Sequence, residues 1–207
     1  MGYLIGMDEA GYGPNLGPLV IAASVWRVPG CPRETDLYDL LASCVCAKPS
    51  DATDENVCLA DSKLVYQPNR GLKLLERGVW ASLSQMGIEP TAWNDLWSRL
   101  APPSEEVLSK ISWYRENQTP LPLELDAEER IRAADALAAG LKSADVELEN
   151  IAAAGVFPEK FNDLLDDFDS KGELLSRETL SLLAELLDNL KDQSASESIL
   201  VICDKHG

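Results

Sequence analysis

Apolar positions recur along this chain with the two periods that mark strands and helices. Tyr3-Leu4-Ile5-Gly6-Met7 is a short continuous apolar run that reads as a buried strand, and residues 16 to 28 form a second one entered through Pro18. Glu34 to Cys46 carries helical spacing in Leu37, Leu40, Leu41 and Val45, and polar Lys48 to Asn56 reads as a loop. From about Asn69 to Met86, Leu72, Leu75, Val79, Leu83 and Met86 recur at threes and fours, which predicts a helix with that stripe inward and Arg70, Lys73 and Arg77 on nearly the opposite side. Prolines divide residues 88 to 143, with helices expected near Ser104 to Tyr114 and Glu128 to Leu141. Asp145 to Phe157 alternates like a strand, Pro158 opens a helix to about Phe168, and Ser176 reads as the N-cap of another running to Leu190. Ser198-Ile199-Leu200-Val201-Ile202-Cys203 is a continuous apolar run, as expected of a parallel strand covered on both faces.

Chemistry gathers where the first of these strands ends. Asp8 and Glu9 follow its last apolar residue, and Gly11 and Gly13 let the backbone turn sharply and approach a ligand. On an ideal strand the two acids face opposite sides, so both serve one site only if the extended geometry fails at about Glu9. Hard carboxylate oxygens in such a turn suit a divalent cation. The last apolar run likewise ends in an acid, Asp204.

The string from Gly6 to Ala23, Gly-Met-Asp-Glu-Ala-Gly-Tyr-Gly-Pro-Asn-Leu-Gly-Pro-Leu-Val-Ile-Ala-Ala, resembles the signature of the type 2 ribonucleases H, the ribonuclease HII and HIII group. The resemblance implies an α/β fold, a ribonuclease H-like mixed sheet flanked by helices. A large, mainly helical insertion at about 88–190 would precede the strand that ends at Asp204. It implies a metal-dependent endoribonuclease acting on RNA/DNA hybrid or on DNA with embedded ribonucleotides. Asp8, Glu9 and Asp204 would be catalytic and hold Mg²⁺ or Mn²⁺ in a two-metal site. Gly11, Tyr12 and Gly13 stand in the substrate-binding loop, where the family usually carries Gly-Arg-Gly. Asp61-Ser62-Lys63 matches the family's Asp-Ser-Lys, so Ser62 and Lys63 are expected to meet the substrate's phosphates; Arg70, Lys73 and Arg77 extend that basic stretch. The family's fourth acidic residue lies downstream of the third, whereas this sequence has three residues after Asp204. It therefore reads as a single domain over 1–207 that is C-terminally incomplete, an N-terminal portion of a longer protein.

Composition narrows the alternatives. A formal charge of −17 argues against broad coating with nucleic acid, leaving cations and one local basic face to carry such contact. From Glu159 to Asp192 acids outnumber bases, which reads as a solvated face or a docking surface for a protein partner, acidic helices spanning 159–192. No apolar run is long enough to span a membrane and no leader precedes the first strand, so a cytoplasmic location is expected. Five unpaired cysteines suit reduced thiols, with Cys203 read as core and Cys44, Cys46 and Cys58 as at most half of a zinc site. Trp93, Trp97, Trp113 and Tyr114 read as core aromatics, base stacking being the alternative. The rival to the enzyme is a catalytically weak or inactive ribonuclease H-like scaffold or binding module. A second rival, a phosphate nest at Gly11 to Gly17, lacks Gly-Lys-Ser/Thr and has two acids where phosphate would sit.

Overall fold

The first strand is longer than its apolar run. In the computed structural model, which describes residues 1–10, 17–168, 170–190 and 197–203, β1 spans Gly2–Ala10 and β2 spans Leu19–Val28. After β2 come a short helix α1 (Leu37–Leu40), the two-residue strands β3 (Val45–Cys46) and β4 (Val57–Cys58), and the one-turn helix α2 (Ser62–Val65). Helices α3 (Lys73–Gln85), α4 (Trp93–Leu100), α5 (Glu105–Lys110), α6 (Ser112–Arg115) and α7 (Ala127–Ala144) lead to β5 (Glu147–Val156). Helices α8 (Pro158–Phe168) and α9 (Lys171–Leu190) precede β6 (Ser198–Cys203).

The result is an α/β fold around a mixed four-stranded sheet in the order β5-β2-β1-β6. β1 pairs antiparallel with β2 and parallel with β6, and β2 pairs antiparallel with β5. Alternation sorts the side chains onto two faces. Tyr3, Ile5 and Met7 join Ile21, Ala23 and Val25 beneath α8 and α9, whose Phe161, Leu174, Leu182 and Leu186 complete that core. Leu4, Trp26, Val28 and Leu148 face the other way, against Ala81 of α3 and Ala133, Leu137 and Leu141 of α7. Among the described residues no helix is long and apolar enough to cross a membrane.

Several expectations need correction. The helix expected over Glu34 to Cys46 stops at Leu40, because the β-branched Val45 pairs instead with Val57 in a parallel ribbon. The inward face of α3 is only partly its leucine stripe: Leu83 is fully buried, but Val79 is 38% exposed, and Glu76, Arg77, Gly78, Trp80, Ala81 and Ser82 are buried as well. Close packing explains the swap, since a Cβ on Gly78 would lie 2.9 Å from the Cys58 carbonyl oxygen. Ser170 takes the capping place expected of Ser176, its Oγ accepting from the Glu173 N–H at 3.3 Å. The stretch 88–190 does more than add helices, because it supplies the edge strand β5. β6 is parallel to β1 but is not covered on both faces: Ile202 is 53% exposed and Cys203 is exposed rather than core.

A reciprocal carboxylate clasp fixes α3. Buried Glu76 accepts the backbone N–H groups of Leu123, Glu124 and Leu125, and Glu124 in turn accepts those of Leu72 and Lys73 at 2.8 and 3.0 Å, closing the N-terminus of α3. Gly71, at φ +71°, belongs to the same clasp, because a Cβ there would meet Glu124 Oε2 at 2.3 Å. Arg77, also buried, donates to the carbonyls of Asp54 and Asn56 and so anchors the loop between β3 and β4.

The β2–β5 ladder contains one irregularity. Val25 opposes Asn150 and Trp26 opposes Leu148, which leaves Glu149 as the extra residue of a β-bulge. Burial, followed by the nearby Glu147, pushes the Glu149 carboxyl above its ordinary range, against the lowering effect of Arg27; Glu197 adds to the rise.

Two stability outcomes follow. Replacing Glu76 with Ala leaves three backbone donors without their acceptor and should cost about 2–4 kcal/mol, whereas Val79→Ala should cost under about 0.5 kcal/mol; urea unfolding followed by tryptophan fluorescence measures both. For Glu149 the folded-state pKa lies above the unfolded one, so its contribution is intact at acid pH and is lost as pH rises through the folded pKa. Glu149→Gln should therefore match the wild type near pH 4 and become the more stable of the two as pH rises, a trend that parallel melts from about pH 4 to 8 would record.

Candidate active site

β1 carries its two acids out of the sheet on an unbroken ladder. The register runs Asp8 to Ala22, Glu9 to Ile21 and Ala10 to Val20, so the strand stays extended through Glu9 instead of breaking there. The two carboxylates consequently leave on opposite faces. Glu9, half-buried, stands on the side of Met7 and Ile21. Asp8 is exposed, and its Oδ1 accepts the Glu9 N–H at 2.8 Å, which holds the side chain close to the backbone and leaves Oδ2 for a ligand.

The face around Asp8 has features that sequence reading missed. Directly opposite Asp8 lies exposed Ala22, beyond it Ala153 of β5, and one pleat further down Gly6 and Ser24. The helices that cover Leu4 and Trp26 do not bury this end: Asp8, Ala22 and Ile202 are exposed. Ser24 is held in place by Trp26, whose indole N–H donates to its Oγ at 2.9 Å. A carboxylate thus rises from a shallow floor of Gly, Ala and Ser, over which a bulky ligand can lie close to the backbone. The signal was available in the alternation of small residues along Ala22-Ala23-Ser24, but only the pairing register shows which of them flank Asp8.

The second carboxylate-bearing strand ends beside the first. Parallel pairing of β1 with β6 runs from Gly2 opposite Ser198 to Met7 opposite Cys203. Asp204 lies outside the described residues, as do Gly11, Tyr12, Gly13 and His206. Among the described residues no three Asp, Glu, His or Cys side chains gather closely enough to hold a metal ion.

Ser62 and Lys63 open α2, where Asp61 acts as N-cap by accepting the Lys63 N–H at 2.8 Å. Both side chains are exposed, and among the described residues no hydrogen bond or ion pair joins them to Asp8 or Glu9. The basic face expected beyond them is smaller than its sequence suggests. Lys73 pairs with Glu129 at 2.7 Å, and Arg77 is buried on backbone carbonyls, which leaves Lys63 and Arg70 as the exposed cations of that stretch without an ion-pair partner among the described residues.

The remaining chemical groups are internal. Trp93 stacks on Tyr114 with centroids 5.3 Å apart, and Trp97 and Tyr114 both meet Phe157, so these rings pack the 88–157 region together; Trp113, 63% exposed, stands at its rim. Cys46 and Cys58 are partners in the β3–β4 ribbon, and burial, with Cys46 adding to it, pushes the Cys58 thiol up to about 11. Among the described residues no third His, Cys, Asp or Glu joins Cys46 and Cys58 closely enough to complete a metal site.

Compared with protein-family models, with curated proteins and with solved structures, the chain matches none.

Because the side chain of Asp8 packs against little, Asp8→Ala should leave the unfolding midpoint within the range of ordinary surface substitutions, a change of about 0.5 kcal/mol or less. Thermal and urea melts of the variant beside the wild type check this.

Proposed function

We propose that this chain carries the metal-binding half of a ribonuclease H-like endoribonuclease, acting on the RNA strand or embedded ribonucleotides of RNA/DNA duplexes. The observation that carries this reading is the parallel β1–β6 pairing. It reaches Met7 and Cys203, and the next residues of the two strands in the sequence are Asp8 and Asp204. A helix followed by a strand parallel to the first and ending in Asp is what the resemblance to type 2 ribonucleases H leads one to expect.

The donors fit a hard divalent cation, since Asp8 offers an exposed carboxylate oxygen on an uncovered face. A bound pair of Mg²⁺ or Mn²⁺ ions would supply a water-derived nucleophile at neutral pH and would stabilise charge on the leaving 3′ oxygen. In this scheme Asp8, Glu9 and Asp204 would hold the ions. Gly6, Ala22 and Ser24 leave room for the sugar–phosphate backbone to settle over Asp8. Lys63, with Ser62 beside it and Arg70 further along, meets phosphates and offsets part of the repulsion from an acidic chain. Gly11, Tyr12 and Gly13 complete the substrate loop in this scheme, and a cytoplasmic setting suits the reduced thiols.

One observation favours the rival, a ribonuclease H-like scaffold of little or no activity. β1 continues as regular strand through Ala10, so Glu9 leaves from the face opposite Asp8. Glu9 can serve the same metal site only by reaching over the strand end.

Matched duplexes containing zero, one or four ribonucleotides, incubated with Mn²⁺, Mg²⁺ or EDTA, separate the two readings. The enzyme reading expects cation-dependent nicking at ribonucleotides and a loss of at least about 100-fold in Asp8→Ala. Cleavage that survives Asp8→Ala overturns the assignment of Asp8; no cleavage by the folded wild type with either cation favours the scaffold.

A further inference from the structure

We propose that the free edge of β5 receives an extended, basic peptide segment of a partner protein, added as a further strand to the sheet. β5 is the outermost strand in the order β5-β2-β1-β6, so alternate backbone N–H and C=O groups point away from β2. Among the described residues these groups have no backbone partner on that side. Such an edge is a template for pairing with another chain unless something blunts it.

Here a cleft of about 260 Å³ runs along it. Its lining includes Ala152, Ala153, Ala154 and Gly155 in succession. Successive side chains on a strand point to opposite faces, so four consecutive residues line one cleft only by presenting the strand's edge. The alanines of the floor leave the backbone open to close approach, whereas at Gly155 Trp97 and Ser104 already crowd the strand, a Cβ there lying 2.9 and 3.1 Å from them. The facing wall is Pro102-Pro103, and prolines have no N–H to give to the β5 carbonyls. Ser104, next in line, also lines the cleft, within reach of a peptide backbone laid along β5.

Charge selects the segment. On the α9 side Glu178 is already paired with Lys160 at 2.6 Å, whereas Glu185 is exposed and has no ion-pair partner among the described residues. A strand that pairs with β5 and carries Lys or Arg toward α9 satisfies the edge and the carboxylate together. Main-chain bonds would then provide affinity and Glu185 would provide selectivity. The cleft shares Ala153 with the floor around Asp8 but opens on the outer edge of β5, and the proposal does not rest on the nuclease reading.

The test uses the full chain and three fluorescent hexapeptides with blocked ends: alternating lysine and valine, alternating glutamate and valine, and the lysine peptide N-methylated at alternate residues. The lysine peptide should bind saturably and shift the amide resonances of residues 152–155. The glutamate and N-methylated peptides should each bind at least about tenfold more weakly. Ser181→Trp, an exposed substitution that plugs the cleft, should abolish binding; Glu185→Lys should weaken it about fivefold or more, and Asp8→Ala should leave it unchanged. Absence of saturable binding at millimolar peptide overturns the proposal. So does equal affinity for the glutamate peptide, binding untouched by Ser181→Trp, or displacement of the peptide by an RNA/DNA duplex.

Discussion

Strand β1 is hydrogen-bonded along both of its edges, antiparallel to β2 on one side and parallel to β6 on the other. That double pairing fixes where everything chemical in this protein can be. It sets the rotation of the strand, so Tyr3, Ile5 and Met7 must enter one core while Leu4 enters the other. By the same rotation it sends Asp8 to the uncovered side and Glu9 to the helix-covered side. It also delivers the end of β6 next to the end of β1. A one-residue slip of either ladder would exchange the two cores and turn Asp8 inward, where an unpaired carboxylate is not tolerated.

The clasp between α3 and the 123–125 segment serves a different end. It joins the first third of the chain to α7 through charged groups that bond to backbone, and Gly71 allows the approach. Burying Glu76 and Arg77 in this way leaves little of the α3 charge available to a ligand. The acidic character of the chain is therefore not relieved by α3, and the exposed cations of that stretch without an ion-pair partner among the described residues are Lys63 and Arg70.

Much of the framework was legible in the residues. Apolar patterning located β1, β2, β5, β6, α7, α8 and α9, and all but β6 bury apolar residues in the core. Misreadings arose where packing was decided by small or charged residues. On α3 the leucines suggested the inward face, yet Gly78, Ala81 and Ser82 lie inside because β4 comes close, and Glu76 and Arg77 lie inside because backbone groups await them. Helix α4 was missed since its inward residues are tryptophans that contact other rings rather than a leucine stripe. At the candidate site, the acids themselves were evident from sequence, whereas Ala22, Ser24 and Ala153 became neighbours of Asp8 only through cross-strand register. The exposure of β6 was not legible at all, because a continuous apolar run looks the same at the centre of a sheet and at its margin.

The bulge at Glu149 bears on the shape of the sheet. With Asn150 opposite Val25 and Leu148 opposite Trp26, every other residue of β5 would keep its face if Glu149 were simply absent. Glu149 is thus surplus to the ladder, and its effect is curvature: a bulged strand bends and twists more tightly at that point. The lower part of β5 can follow α7 while the upper part swings toward α9. A chain one residue shorter there would hold a flatter sheet, and the two ends of β5 could no longer lean toward different helices.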